Sequence, residues 1–460
     1  MSPPPEDTID LLINGKEILT AKSYEITRAF FQVPDTFSMV IGSGKTSLDL
    51  MRQVPPGSLF ALRINGVVQF VGYTDGFERL GGGATEVTVS GRDALAQLVR
   101  AQIENDRSFN NITLEGLAQE AIKGSGILES TLFFDAAAQR AAVTGTPQVT
   151  EEKTSKTIVS SAVGGGLQPP ELRLVSTGEQ EGTPFAYDLV PVRSGVTTVE
   201  TTQSKVTKRV TGFKADKPIK WDAGESYLTA LKKDCDRAGV FLRAGTDPDG
   251  LDPNVFLLSA PDGDQAAKFW LLNTRREDVP DNAVLVLPPQ IRYVMTGRHS
   301  KYVVHGQAGG GKDGRKPIEG VYHDNEAEEG LPLPATRVIK DPNCKSIHQA
   351  NYRARKECAA ERRANRSFVY VIPHRHTMPL IENPAQRGII APDTVVHVRD
   401  DEFGINGPMW VERVKFSKSV NGGTFTEVTL LDPGDLIFGD DEPTKPLGAR
   451  APKKRHRRSK

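Results

Sequence analysis

The chain has 460 residues, of which 38% are apolar and 25% charged, with 58 acidic and 58 basic side chains. This length exceeds one ordinary domain of about 100–200 residues and predicts several domains. A net charge of zero excludes a whole-chain electrostatic attraction to nucleic acid or membranes. Three cysteines exclude a disulfide scaffold and a zinc site of the CxxC type.

The first residues contain neither the basic nor the apolar segment of a secretory signal, and no apolar run approaches the ~18 residues of a membrane span. We therefore expect a soluble protein that is made in the cytoplasm. If it ends outside a cell, a route other than standard secretion took it there.

The first ninety residues predict short β-strands joined by tight turns. The segment Ile9 to Ile13 runs into Asn14-Gly15, and Leu59 to Ile64 runs into Asn65-Gly66. Asn-Gly favours two-residue hairpin turns because both residues tolerate positive φ. We expect a small N-terminal β-barrel domain over residues 1–91.

Residues 92–290 predict a mixed α+β middle region. Apolar residues recur at helical spacing after Leu95 and again after Thr113, which is a suitable N-cap. A third helix is expected from about Glu225 to Ala238, with Gly239 ending it. A strand pair, Val240 to Arg243 and Val255 to Leu258, follows.

Residues 137–211 differ from their surroundings, because they are rich in Thr and Ser and show no helical period. One interpretation is a surface insertion or loop. The other is a β-rich extension that contacts a neighbouring chain. A structureless loop of this length is rare inside a compact domain, so we expect part of it to pair.

The last third predicts a second, C-terminal β-barrel domain over residues 291–435. Predicted strands precede and follow a long Arg-rich helix near residues 346–364. A Pro-containing linker and a basic tail, residues 436–460, follow it.

A sequence repeat connects the two ends of the chain. Ile64-Asn65-Gly66 recurs as Ile405-Asn406-Gly407, and Thr85 to Thr88 recurs as Thr426 to Thr429, both at an offset of 341. We expect strand, Asn-Gly turn, strand, Gly-Gly turn and strand in both copies. Three chains with two such domains each would present six similar units, which suits an adaptor between threefold and sixfold partners.

No motif predicts catalysis, a cofactor or a metal. Gly42 to Ser47 resembles a phosphate-binding loop, but Met39 stands where the motif needs Gly. His374 and His376 could share one face of a strand as a metal pair, yet no third ligand has suitable spacing. Asp247, Asp249 and Asp252 lie among Gly and Pro and predict turns rather than a calcium loop.

The chain ends in a basic tail that is the single candidate partner-docking segment. It could dock on an acidic protein, contact phosphates or remain solvated, and it lacks the interleaved aromatic residues that stack on bases. Its charged residues are Lys453, Lys454, Arg455, Arg457, Arg458 and Lys460.

Several stretches, taken in order, resemble a known family. They are Val87 to Asp93 leading into the Leu95 helix, Ile112 to Ala118, Gly224 to Leu231 ending at Arg237 to Gly239, the helix from Ser346, and Pro392 to Val398. In this order they resemble the baseplate hub protein of Mu-like contractile phage tails, related to the late control protein D group and the T-even baseplate hub. Residues 137–211 and the basic tail depart from the pattern.

The resemblance implies a structural role without catalytic residues. Hubs of this family are homotrimers whose paired barrels form a pseudo-sixfold ring between the hexameric tail tube and the trimeric spike. We therefore expect an α+β, mainly β fold and a virion baseplate protein, with the tube, the spike and further baseplate or tape-measure proteins as partners. The alternatives are a tail-associated cell-wall hydrolase and a nucleic-acid-binding protein that acts through the basic tail.

Overall fold

The computed structural model describes a defined part of the chain. Side chains and backbone are described for residues 7–17, 21–31, 34–41, 55–78, 86–110, 112–127, 129–133, 219–236, 238–245, 252–274, 280, 282–295, 297–306, 318–341, 344, 346–419 and 422–439, and the backbone alone at residues 18, 79, 134 and 237. Backbone alone is also described for residues 146–161, 171–175, 188–192 and 198–214. The chain divides into a large unit and a smaller one formed by residues 110–113 and 144–218.

Strands dominate the large unit, and five helices are described between them. The strands are β1 (Ile9–Ile13), β2 (Lys16–Ile18), β3 (Ala21–Ala29), β4 (Thr36–Ile41), β5 (Leu59–Ile64), β6 (Val67–Arg79), β7 (Val87–Asp93), β8 (Arg107–Phe109), β9 (Thr131–Phe134), β14 (Ile219–Trp221), β15 (Phe241–Ala244), β16 (Val255–Ser259), β17 (Phe269–Asn273), β18 (Ala283–Leu285), β19 (Leu287–Tyr293), β20 (Lys301–Gly306), β21 (Ile318–His323), β22 (Thr336–Asp341), β23 (Arg366–Pro373), β24 (Thr377–Pro379), β25 (Arg387–Ile389), β26 (Val395–Asp400), β27 (Ile405–Ser419) and β28 (Gly423–Leu431). The helices are α1 (Leu95–Arg100), α2 (Leu114–Gly124), α3 (Tyr227–Ala238), α4 (Asn325–Gly330) and α5 (Ile347–Asn365), and a 3-10 turn spans Pro433–Asp435. The predicted mainly β, α+β class is confirmed.

Fourteen of the strands form one large sheet that contains the same strand order twice. The first set of seven runs β3-β4-β7-β6-β5-β1-β2, and the second runs β19-β23-β28-β27-β26-β17-β18. The two sets join where β3 pairs with β27. They differ at two steps, because β1 is antiparallel to both β5 and β2, whereas β17 is parallel to both β26 and β18. The predicted domain boundaries remain predictions.

Local turn chemistry explains the hairpins of the first set. Asn14 and Gly15 adopt φ of 48° and 75°, and Asn65 and Gly66 adopt 50° and 79°. Two consecutive positive φ angles define the tight turn that matches the twist of the flanking strands. Both predicted Asn-Gly hairpins are confirmed.

The predicted Asn-Gly turn in the second copy is wrong. Asn406 and Gly407 lie within β27 and pair with Arg399 and Val398 of β26. The turn lies earlier, and Gly404 supplies its positive φ of 69°. The four-residue loop between β26 and β27 replaces the two-residue loop of the first set, so a shared Asn-Gly does not imply a shared turn.

Both sets of strands contribute to one buried core. Phe37 and Phe60 of the first set pack edge to face with ring centroids 4.5 Å apart. Tyr370, Phe416 and Val428 of the second set are fully buried in the same cluster. Burial of such large apolar side chains is the main stabilising contribution to a sheet of this size.

Capping residues fix the helix ends. Ser226 accepts a hydrogen bond from Thr229 N–H at the start of α3, and Gly239 ends the helix with a φ of 73°. Ser346 accepts one from Gln349 N–H at the start of α5. The predicted helices are confirmed, with α3 beginning at Tyr227. No helix in the described part of the chain combines the length and apolarity needed to cross a bilayer.

Helix α5 covers a small sheet of three strands in the order β21-β20-β22. Ala350, Ala354 and Cys358 lie on its buried face beside Tyr302. A Cβ at Gly320 would stand 2.2 Å from the carbonyl carbon of Ala350, so the close approach of helix and strand requires glycine there.

The smaller unit consists of paired strands. β10 (Thr146–Ser161) pairs antiparallel with β13 (Thr198–Lys214), and β11 (Glu171–Val175) pairs with β12 (Asp188–Val192). Of the two interpretations of this region, the β-rich one matches the structure. Its contact with a neighbouring chain stays a prediction.

Candidate assembly interface

The two sets of strands are joined by one antiparallel strand pair, β3 with β27. Six residues of β3 pair with six of β27, from Ala29 opposite Arg413 to Tyr24 opposite Lys418. An ion pair of 2.8 Å between Lys415 and Glu25 adds to the backbone hydrogen bonds. Two edges that are far apart in sequence therefore meet as an ordinary antiparallel pair.

A buried histidine forms hydrogen bonds with both sets of strands near this junction. The imidazole of His376 is fully buried and lies 2.7 Å from the hydroxyl of Tyr24 in β3 and 2.8 Å from that of Thr426 in β28. Burial lowers the pKa of His376 to about 4, so the ring is neutral at pH 7. Both ring nitrogens are engaged in hydrogen bonds, so neither is free to bind a metal together with His374.

The N-terminal segment is held by the same cluster. The Asp7 carboxylate accepts hydrogen bonds from His376 N–H, from the Thr377 hydroxyl at 2.7 Å and from the Asn65 amide at 2.6 Å. Burial acts to raise the pKa of Asp7, but these hydrogen bonds outweigh it and lower the pKa. Asp7, just before β1, is thereby fixed to the segment that leads into β24.

A second buried polar cluster joins α4 and α5. The Arg298 guanidinium lies 2.7 Å from Asp324 and 2.8 Å from Glu326, and Arg362 lies 2.5 Å from Asp324. Burial acts to raise the pKa of Asp324, but the two guanidinium groups outweigh it and lower the pKa to about 2. The cluster is charged at neutral pH and fixes the small sheet against α5.

Two buried carboxylates, Asp35 and Asp93, lie close together, as the acids of a hydrolase would. Asp93 accepts hydrogen bonds from the N–H groups of Asp35 at 2.9 Å and Leu95 at 3.0 Å, and Asp35 accepts from Arg28 at 3.1 Å. Burial raises the pKa of both acids, most strongly that of Asp93. The Asp93 carboxylate binds the backbone just before β4 and at the start of α1. The pair therefore has a structural role in this region.

The remaining candidate residues give no site in the described structure. The basic tail (Lys453, Lys454, Arg455, Arg457, Arg458 and Lys460), the loop Gly42 to Ser47 and both Asp247 and Asp249 lie outside the described residues. Asp252 accepts a hydrogen bond from Asn254 N–H at 2.8 Å, as expected of a turn. No group of three or more potential metal ligands occurs among the described residues.

Besides the end strands β2 and β18, two further places in the large sheet have a strand edge without a partner strand in the described part of the chain. One is the outer edge of β19, which pairs with β23 on its other side. The other is the second half of β6, beyond the point where β5 ends. Sequence reasoning did not find them, because an open edge is a property of the sheet order rather than of a local motif.

Comparisons with known proteins place this fold. Residues 8–93 match the family model of the Mu phage baseplate assembly protein GpP-like, N-terminal domain. This confirms the predicted resemblance to Mu-like baseplate proteins. A comparison with curated proteins gave no match.

Solved structures of tail proteins share the fold over nearly the whole chain. The 43 kDa tail protein of prophage MuSo2 from Shewanella oneidensis is 16% identical with a TM-score of 0.58, covering 93% of this chain and 99% of that protein. The tail protein from Neisseria meningitidis MC58 is also 16% identical, with a TM-score of 0.59 and coverage of 95% and 99%. Together with the family model, this fold supports a structural role in a phage baseplate.

Proposed function

We propose that this chain is the baseplate hub of a contractile phage tail. In this proposal three copies form a pseudo-sixfold ring that joins the hexameric tail tube to the trimeric spike. The observation that carries it is the strand order that occurs twice within one sheet. Two similar units per chain turn a threefold assembly into six similar positions, which is what a connector between a hexamer and a trimer requires.

The same proposal assigns partners and location. The tube and the spike are the principal partners, with tape-measure and other baseplate proteins as further ones, and the assembled protein resides in the virion after assembly in the host cytoplasm. Binding rests on sheet edges and shape complementarity over large interfaces, without catalytic residues. The basic tail serves as a docking segment for an acidic partner.

The native mass tests the ring. Light scattering on the purified chain should give about three times the chain mass of 50.1 kDa, and particle averages from the same peak should show six lobes. A chain that stays monomeric, alone and with the tube and spike proteins of its own tail, would refute the hub proposal.

A second measurement separates the hub from its alternatives. The purified chain should bind immobilised tube protein and should not degrade peptidoglycan. Its affinity for DNA should be weak and unchanged by deletion of residues 451–460. Lytic activity would favour the hydrolase, and a steep salt dependence that this deletion abolishes would favour nucleic-acid binding.

A further inference from the structure

The repeated strand order predicts a second junction that one chain cannot make by itself. Within the chain, β3 of the first set pairs with β27 of the second set. In the other copy of the order, β19 occupies the place of β3, and β6 occupies the place of β27. The described structure leaves the corresponding edges of β19 and β6 without a partner strand.

The bulges of the sheet fix which residues correspond. One bulge lies between Thr74 and Gly76 in β6, and its counterpart lies between Val411 and Arg413 in β27. Each lies just beyond the last pairing with the strand on the opposite edge, which is β5 for β6 and β26 for β27. This aligns β6 with β27 at an offset of 337 positions.

The alignment extends through the sheet to the outer strands. Following the pairings from β27 through β28 and β23 places β19 on β3 at an offset of 265 positions. Both outer strands also carry a bulge near this end, between Ala21 and Ser23 in β3 and between Leu287 and Gln290 in β19, one or two positions apart in the alignment. The half-buried Ile291 then takes the core-facing place of Ile26, as the alternation of a strand requires.

We infer that β19 of one copy pairs antiparallel with residues 76–79 of β6 in the next copy. This inference rests on the proposed ring and names the surfaces that close it. It is a head-to-tail contact, in which each chain offers one edge of each kind, and such contacts generate closed rings when the rotation closes. The internal pair of Thr27 and Lys415 becomes Arg292 opposite Glu78 of the neighbouring copy.

Side-chain chemistry agrees with this register. Arg292 and Glu78 are exposed, opposite in charge and without an ion pair among the described residues of their own chain. The next pair, Tyr293 and Phe77, is aromatic, and Tyr293 is 47% exposed in the single chain. Opposite charges and aromatic pairs facing each other across two strands stabilise antiparallel pairing.

The internal junction between β3 and β27 has the same combination of backbone pairing and opposite charges. There an exposed ion pair between Lys415 and Glu25 accompanies the backbone ladder. An open edge of this kind is an aggregation hazard unless something covers it. A second copy of this chain is the occupant whose edge has the right direction, register and charge.

Disulfide trapping tests the contact directly. The double variant Glu78→Cys with Arg292→Cys places thiols on opposed residues, whose Cα atoms would lie about 4.5–5.5 Å apart. The native Cys235, Cys344 and Cys358 are buried and should not interfere. We expect covalent trimers on a non-reducing gel, and no such species from either single variant.

The matched control moves one thiol to a different sheet edge. Glu17 is exposed on β2, the end strand of the first set, so Glu17→Cys with Arg292→Cys should not form trimers. If light scattering shows a trimer but the Glu78 and Arg292 pair does not crosslink, this inference is refuted and the ring survives. A monomer by light scattering would refute both.

Charge reversal provides an independent measurement without new cysteines. Arg292→Glu should weaken trimer assembly about two- to fivefold per contact, since like charges then face each other. Adding Glu78→Arg should restore assembly. Equal weakening in the single and double reversals would show that the two residues do not meet.

Discussion

Replacement of Asp324 by Asn tests how much the buried charge cluster contributes to stability. The side chain of Asp324 is fully buried, and that of Arg298 is 1% exposed. Asn keeps the N-cap of α4, where the Asp324 side chain accepts from Ala327 N–H, so the variant removes charge rather than the cap. Arg298 would keep only its ion pair with Glu326, and Arg362 would lose its shortest ion pair, at 2.5 Å, and keep the longer one with Asp435 at 3.5 Å.

The expected loss is about 3 kcal/mol. Removing one partner of a buried pair costs about 3–5 kcal/mol, and the remaining contact with Glu326 places this case at the lower end. The pKa of Asp324 agrees, because a decrease from 3.8 to about 2 corresponds to about 2.5 kcal/mol.

The pH dependence follows from the direction of that pKa change. A carboxylate whose folded pKa is lowered stabilises the fold above the unfolded value, and this stability is lost as the pH falls through the folded value. The stability difference between wild type and Asp324→Asn should therefore be constant above pH 4 and shrink toward pH 2.

Urea unfolding compares the two proteins, and hydrogen exchange of α5 amides locates the change. The control is Glu86→Gln, which breaks an exposed ion pair with Lys22 and should cost less than about 0.5 kcal/mol. If Asp324→Asn loses under 1 kcal/mol, or if its deficit persists unchanged at pH 2, the reasoning from the buried charge is refuted.

Three further predictions, made with four single substitutions, test the local structure. Burial keeps His376 neutral with a folded pKa of about 4, so wild type should lose about 3 kcal/mol as the pH falls from 6.5 to 4, and His376→Gln should not show this dependence in urea titrations. Gly239→Ala should lower the melting temperature by several degrees, because φ is 73° and the added Cβ would lie 2.9 Å from Gly439 N; an unchanged value would contradict that geometry. Asn65→Ala should cost about 1 kcal/mol, whereas Asn406→Ala should stay within about 0.5 kcal/mol, and equal losses would mean that both pairs form turns.

Local signals in the sequence predicted local structure well. Ser226, Gly239 and Ser346 mark helix ends through hydrogen bonds and φ angles that only a few residue types supply. Asn65-Gly66 predicted its turn for the same reason. Each of these features depends on residues within a few positions of one another.

The contacts that build the candidate interface depend on distant residues and were not predicted. His376 meets Tyr24 across 352 positions, and Arg298 and Arg362 come together through the shared Asp324 and Glu326. Composition and spacing carry no information on such pairs, since any of many buried positions could supply the partner. The order of strands in the sheet decides them.

The strand order does occur twice, but the sequence repeat aligned the two copies at the wrong offset. At the offset of 341, Val87 falls on Val428, but the sheet pairings and bulges place Val89 there, at an offset of 339. A shift of two residues keeps every side chain on its own face, because strands alternate with a period of two. The identities therefore preserved the pattern of burial while misplacing the backbone.

In β6 the corresponding shift is four residues, from 341 to 337, and it decides whether the second junction can exist. At the offset of 341, Lys415 would correspond to Thr74, whose N–H already donates to Ser58 O at 2.9 Å and whose carbonyl accepts from Gly57 N–H at 2.7 Å. A neighbouring strand could not pair there. At 337 the counterpart is Glu78, beyond the last pairing of β5, where the edge lies open to a second copy. The ring contact is thus consistent with the sheet pairings alone, and the crosslink between positions 78 and 292 measures which alignment the molecule uses.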